Sequence, residues 1–284
     1  MIAGMRGWIP GAVLLAACGG SQVQVQVPDE VRIVPEIFLT EIGTEAAPGV
    51  FAYPTRSLDE LDAARRDARG PDRRRAMRDL AVALIYATIE SEGRESRRFR
   101  QRAERMIDAA ARGNRDDQLR AELDFMRLWL AYRTGSNARA ARLAERFGTR
   151  HRAAGVLTTM AYMVGGEAAF AEEDYDDAIA SYRFALGQLG SPLYAFALYR
   201  TAHAHGADGD REEGMNALRE VERLGCEHDA AAPVVRLANA AASERETGLR
   251  RDPDDVVRPA SCPAHDALEA EAEAEQEEGW RPAE

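Results

Sequence analysis

The chain contains no lysine: all 37 of its basic residues are arginine. No glycine-rich phosphate loop can therefore end in the lysine that such loops use. No Gly-x-Ser-x-Gly elbow presents a serine nucleophile either. Cysteine is scarce, with three in 284 residues, and aromatics are only 7%. The longest N-terminal apolar stretch, Trp8 to Ala17, is about ten residues and too short to span a bilayer. Strands do not alternate with helices, so a parallel sheet is not supported. Against 37 arginines stand 48 acids, a net charge of −11. Nucleic acid is thereby excluded as the main partner, since it selects basic surfaces.

What is present is 45% apolar and 30% charged residues, the composition of a globular, helical chain with room for one or two domains. Residues 1–17 read as an address rather than structure: Arg6, then the apolar run, ending in Leu15-Ala16-Ala17-Cys18. That string resembles the lipobox of bacterial lipoprotein signal peptides. The resemblance implies cleavage before Cys18 and a diacylglycerol on its sulfur. Gly19 follows the cysteine, and the resemblance then implies the outer membrane, with the chain facing the periplasm. Several acyl chains on one cysteine give stable anchoring, where one chain gives marginal binding.

Residues 18–56 read as an extended tether, because Pro28, Pro35, Gly43, Pro48, Gly49 and Pro54 interrupt every pattern. At full extension Cys18 to Ser57 would reach about 130 Å. A sharper alternative lays Val31 to Leu39 along a groove or a sheet edge.

Residues 57–248 read as helices of about 12–20 residues separated by short breaks, hence antiparallel hairpins. Ser57 with Glu60 has the capping-box spacing. Gly70, Gly93, Gly113, Gly135 and Gly148 read as stops. Self-comparison finds a two-helix unit. The clearest copy spans 159–192, with Tyr162 and Gly166 on the first helix and Ala178, Tyr182 and Ala185 on the second. Looser copies span 121–154 and 193–226, and Tyr182 to Leu218 is 36 residues. This unit resembles the tetratricopeptide repeat, whose period is about 34 residues. The expected fold is all-α: an α-solenoid of such hairpins, closed by a capping helix at 229–247.

Residues 249–284 hold a cysteine-containing segment and an acidic tail. Within 263–284 there are 8 acids and one Arg, a net of −7, and Glu269, Glu271, Glu273 and Glu275 alternate with alanine. This composition reads as disordered and solvated. The tail's opposite lies at 65–120, with 16 Arg against 10 acids, a net of +6. Folding of the tail onto those arginine-rich helices is the sharper reading of this contrast.

Cys226 and Cys262 remain after lipidation. In an oxidising compartment a bond between them would close a 37-residue loop, worth about 3–4 kcal/mol in the chain-entropy view. The alternative is zinc held by Cys226, His228, Cys262 and His265. His203 and His205 are two apart on a helix, point to different sides and cannot chelate together. The scattered Asp/Glu pairs read as solvated faces. No catalytic residue, metal or cofactor is expected.

The function expected is therefore non-catalytic: a lipid-anchored periplasmic scaffold for an envelope protein, attached to the membrane through Cys18. The groove-lining face should come from the first helix of each pair, around Arg127, Tyr132, Tyr162, Tyr199 and His203. Two alternatives are an outer-membrane assembly factor, resembling the repeat lipoprotein of the barrel-insertion machinery, and a regulator of a peptidoglycan enzyme.

Overall fold

The computed structural model describes residues 33–186, 191–227 and 230–247. Among these the chain is all-α, with helices α1 (Pro35–Ala46), α2 (Pro48–Phe51), α3 (Leu58–Asp67), α4 (Gly70–Glu90), α5 (Gly93–Ala111), α6 (Asp117–Arg133), α7 (Asn137–Arg150), α8 (Val156–Ala171), α9 (Tyr175–Ala185), α10 (Pro192–Asp208), α11 (Arg211–Gly225) and α12 (Ala232–Thr247). Local chemistry sets their ends. The Ser57–Glu60 capping box forms in both directions, Glu60 N–H donating to Ser57 Oγ and Ser57 N–H to Glu60 Oε2. Asp116 and Asp174 cap α6 and α9 through the N–H groups of Leu119 and Asp177.

Four hairpins stack in order: α4–α5, α6–α7, α8–α9 and α10–α11, with α12 packed on the last pair. Their first helices also touch one another, α4 to α6, α6 to α8 and α8 to α10, and so share one face, the inner face. The turns inside the second and fourth hairpins use Gly135 and Gly209 at positive φ (70° and 96°). The third hairpin places Glu173 in the same left-handed region at 64°. A non-glycine residue there costs about 1 kcal/mol.

Second helices are one-sided. Ala103, Ile107 and Ala110 on α5, Ala140, Ala144 and Phe147 on α7, and Leu218 and Val221 on α11 form single buried stripes, and the opposite faces are charged. Three first helices differ from this: α6 buries Leu119 through Ala131 on several sides, α8 buries Leu157 through Ala169, and α10 buries Leu193 through Ala204, while α4 is buried only from Leu80 on. A helix apolar all round has to be covered on two sides. The second helices supply one cover and α1–α2 the other.

This corrects the reading of residues 18–56 as an extended tether. Its described part, from Ile33 on, is folded: Phe38, Leu39, Ile42, Val50 and Phe51 are all buried. Pro35 and Pro48 are not breakers but first-turn residues, where a missing N–H costs nothing. Gly43 does not break α1. It lets α2 fold back so closely that a Cβ there would lie 2.5 Å from the Phe51 ring. Phe51 then packs between Phe125 and Trp129 at centroid distances of 5.4 and 5.3 Å. The stretch Val31 to Leu39 does meet a groove from Pro35 onward, but as a helix in the chain's own inner face. Three expected stops also differ: Gly70 and Gly93 are the first residues of α4 and α5, and Gly148 lies buried inside α7 beside Tyr162.

Candidate functional site

The five residues expected to line a partner groove divide into two sets. Tyr132, Tyr199 and His203 sit on the inner side. Tyr132 donates from its hydroxyl to Glu36 Oε1 on α1 at 2.9 Å. Tyr199 donates to Glu244 on α12, and His203 Nε2 lies 2.8 Å from the same carboxylate. Arg127 and Tyr162 face the other way. Arg127 pairs with Asp108 of α5 and Asp124 of its own helix. Tyr162 stacks on Phe184 of α9 at 4.8 Å and covers Gly148 of α7.

The inner set surrounds a charged pair that sequence reasoning missed. Arg200 on α10 grips Glu167 on α8 with two parallel bonds, Nε to Oε1 at 2.6 Å and Nη2 to Oε2 at 2.9 Å. Their side chains are only 9% and 4% exposed. Tyr182 on α9 donates to the same carboxylate at 2.8 Å, and Phe170 offers its ring face 4.6 Å from the guanidinium. Arg200 also reaches His203 Nδ1 at 3.2 Å. Arginine can only donate, so Nδ1 accepts, and Nε2 carries the proton given to Glu244. Burial opposes the charge on Arg200, but the Glu167 carboxylate outweighs it and holds the guanidinium above its ordinary pKa. Burial first, and then Glu167, push the Tyr182 and Tyr132 hydroxyls well above theirs. The network is saturated and its tyrosines stay neutral, so it serves to fix α8, α9, α10 and α12 in register.

A partner cannot reach this face in the structure described, because α1 and α2 occupy it. Phe38 stacks on Phe196 of α10, with centroids 4.5 Å apart. Glu41 of α1 reaches Arg236 of α12 at 2.5 Å, and Tyr86 of α4 donates to the Phe51 carbonyl. The inner groove is thus filled in cis. Each buried large apolar side chain contributes about 1.5–3 kcal/mol, so displacing the five on α1 and α2 would cost on the order of 10 kcal/mol.

The open surface is elsewhere. On α7, Arg139, Arg142, Arg146 and Arg150 fall at intervals of three and four residues, so they share one face. With Arg127, Asp124, Leu143 and Phe147 they line a concavity of about 430 Å³. Asp124 is its hub, accepting from Arg127, Arg150 (3.0 Å) and His151 Nε2 (2.9 Å). Burial works to raise the Asp124 pKa, but His151, Arg150 and Arg127 together hold it below the usual carboxylate value. Arg139 is taken by Glu104 at 3.1 Å. Arg142 and Arg146 are exposed and, among the described residues, have no ion-pair partner.

Cys226 is disulfide-bonded, and its partner lies outside the described residues. Its thiolate is therefore not free for the zinc set considered above. Cys262, His228 and His265 also lie outside the described residues, as do Cys18 and the acidic tail. His205 lies 3.7 Å from Asp210, away from His203's carboxylate.

No protein-family model, curated protein or solved structure matches the chain.

Proposed function

We propose that the chain is a lipid-anchored scaffold of the bacterial envelope, tethered by an acylated Cys18, that works by holding proteins rather than by catalysis. The Leu15-Ala16-Ala17-Cys18 lipobox supports the anchor and the periplasmic side of the outer membrane. The stacked hairpins support a tetratricopeptide-like interaction module. The observation that carries the reading is the charge divide along the stack. Residues 65–152 hold 23 Arg against 13 acids, a net of +10, while residues 153–247 hold 7 Arg against 16 acids, a net of −9. Because the inner face is filled in cis, the docking surface is moved from the groove to the outer arginine face. The first-helix residues Tyr132, Tyr199 and His203 then hold the module together, and Arg127 alone of the five borders the docking surface. An assembly factor and a regulator of a peptidoglycan enzyme remain the two specific forms of this role.

The test is capture in intact cells with a photoreactive residue at position 146 and, as control, one at exposed position 219 of α11. Barrel proteins or their assembly machinery at position 146 alone support the assembly role. Wall synthases or hydrolases support the regulator. Equal capture at both positions sinks the scaffold reading. Replacement Cys18→Ser should release the protein from the membrane fraction.

A further inference from the structure

We propose that the arginine face of α7 is a binding surface for acidic peptide segments, and that its resident occupant is residues 263–284 of the same chain. The proposal rests on the same surface as the scaffold reading, the tail holding it until an acidic partner segment displaces it, and it fails separately, since its test reads a contact within one molecule.

Three observations meet here. The concavity presents four arginines in register on one helix, and Glu145 is the sole acid on α7. Three of its arginines are already held by Asp124, Asp108 and Glu104, which fixes them in place. Arg142 and Arg146 keep unspent charge at the rim, and a guanidinium fork is shaped for carboxylate. Leu143 and Phe147 provide apolar floor beneath them, suited to the alanines that alternate with glutamate from 269 to 275.

The complement is on the same chain. Residues 263–284 carry a net charge of −7. Even with Cys262 held at Cys226, the 16 residues from Cys262 to Glu278 span up to about 55 Å. Between α11 and α7 lie two hairpin steps, about 20 Å at ordinary helix spacing. Alternative occupants are the acidic α9–α11 half of a second copy, where Asp174, Asp176, Asp177, Glu212 and Glu213 lie, and a phosphate-bearing surface. The covalent linkage of the tail favours the intramolecular contact, because it raises the effective concentration to roughly millimolar.

The absence of lysine makes the test clean. Variants Arg142→Lys and Arg146→Lys keep the charge and each install the single lysine of the full-length protein. A water-soluble carbodiimide then joins that ammonium to a touching carboxylate as an amide. The carbodiimide takes up the water lost and leaves as urea. The parent protein has no lysine and is the blank. The expected result is a crosslink in the monomer from the introduced lysine to glutamates at 269–278. Its yield should fall about tenfold between 0.05 and 1 M salt, as the screening length drops to about 3 Å. Deleting 263–284 should tighten binding of a free decaglutamate peptide to the protein by about tenfold. Crosslinks confined to residues 153–247, products found only as covalent dimers, or a yield indifferent to salt would each overturn the proposal. Tighter binding to anionic vesicles but not to the peptide on tail deletion would overturn it in favour of the phosphate surface.

Discussion

Replacing Phe38 tests whether α1 belongs to the core or hangs as a tether. Its ring is 3% exposed and stacks on Phe196, and Leu39 beside it is fully buried. A buried Phe→Ala change costs about 3–5 kcal/mol in lost transfer energy and cavity. A domain's whole stability is about 5–15 kcal/mol, so Phe38→Ala should remove a third or more of it. For a domain of this size that means about 10 °C in Tm. Ile37, the preceding residue, is 66% exposed, and Ile37→Ala should stay within about 0.5 kcal/mol. Both are read by urea unfolding, following circular dichroism and fluorescence. Trp129 lies against Phe51 and reports the α2 contact directly. An unchanged m with a lower midpoint means α1 unfolds with the rest, and a smaller m means it detaches first. If Phe38→Ala costs no more than Ile37→Ala, the cis-filled groove is wrong, and residues 35–51 are a tether after all.

Three further outcomes follow from the packing. Glu167→Gln strands the Arg200 guanidinium in the interior and should cost about 3–5 kcal/mol, whereas Glu167→Leu combined with Arg200→Met should come within about 2 kcal/mol of the parent; equal losses in the two would show that the pair does not act as a unit. Gly166→Ala puts a Cβ 2.3 Å from the ring of fully buried Tyr182 and should lose about 1–3 kcal/mol despite alanine's better helix propensity; Gly148→Ala meets the hydroxyl end of the less buried Tyr162 and should lose less, so the order of the two midpoints is the check. Because Asp124 titrates below its unfolded value of about 3.9, its contribution is complete above pH ~4 and lost as pH falls through the folded pKa; stability measured from pH 5 to 2 should fall less steeply in Asp124→Asn than in the parent.

The hairpins were legible because their signals are local. The Ser57–Glu60 box and the stops at Gly113 and Gly135, just past α5 and α6, act within one or two turns. What was not legible depends on chain far away. Residues 35–51 carry two prolines and two glycines in 17 positions, which reads as interruption. Only the apolar inner faces of α6, α8 and α10 turn those prolines into helix starts. Tyr132 was singled out without Glu36, which lies 96 residues earlier, and His203 without Glu244, 41 later. The Glu167–Arg200 pair did leave a trace. Both residues interrupt apolar helices, and they stand 33 apart, about one helical turn short of the 36-residue spacing of their repeats. Opposite charges on the first helices of adjacent repeats, within a turn of equivalent places, point across the same interface.

The folded N-terminal segment also changes the reach of the proposed anchor. With helix beginning at Pro35, the leash from Cys18 to Val34 is 16 residue steps, which reach at most about 55 Å rather than about 130 Å. Under the proposed anchoring, a scaffold on that leash would work close to its membrane, which favours the proposed assembly role over a regulator that must reach far inward. The same segment couples anchor to groove, since residue 35 is both the end of the leash and the first residue of α1. Lengthening the leash by about 20 Gly/Ser residues ahead of Val31 separates the two roles. If proximity to the membrane is what matters, the insertion should weaken in-cell capture at position 146 while leaving the urea midpoint unchanged. If capture is untouched, distance is not the constraint, and the regulator regains its place.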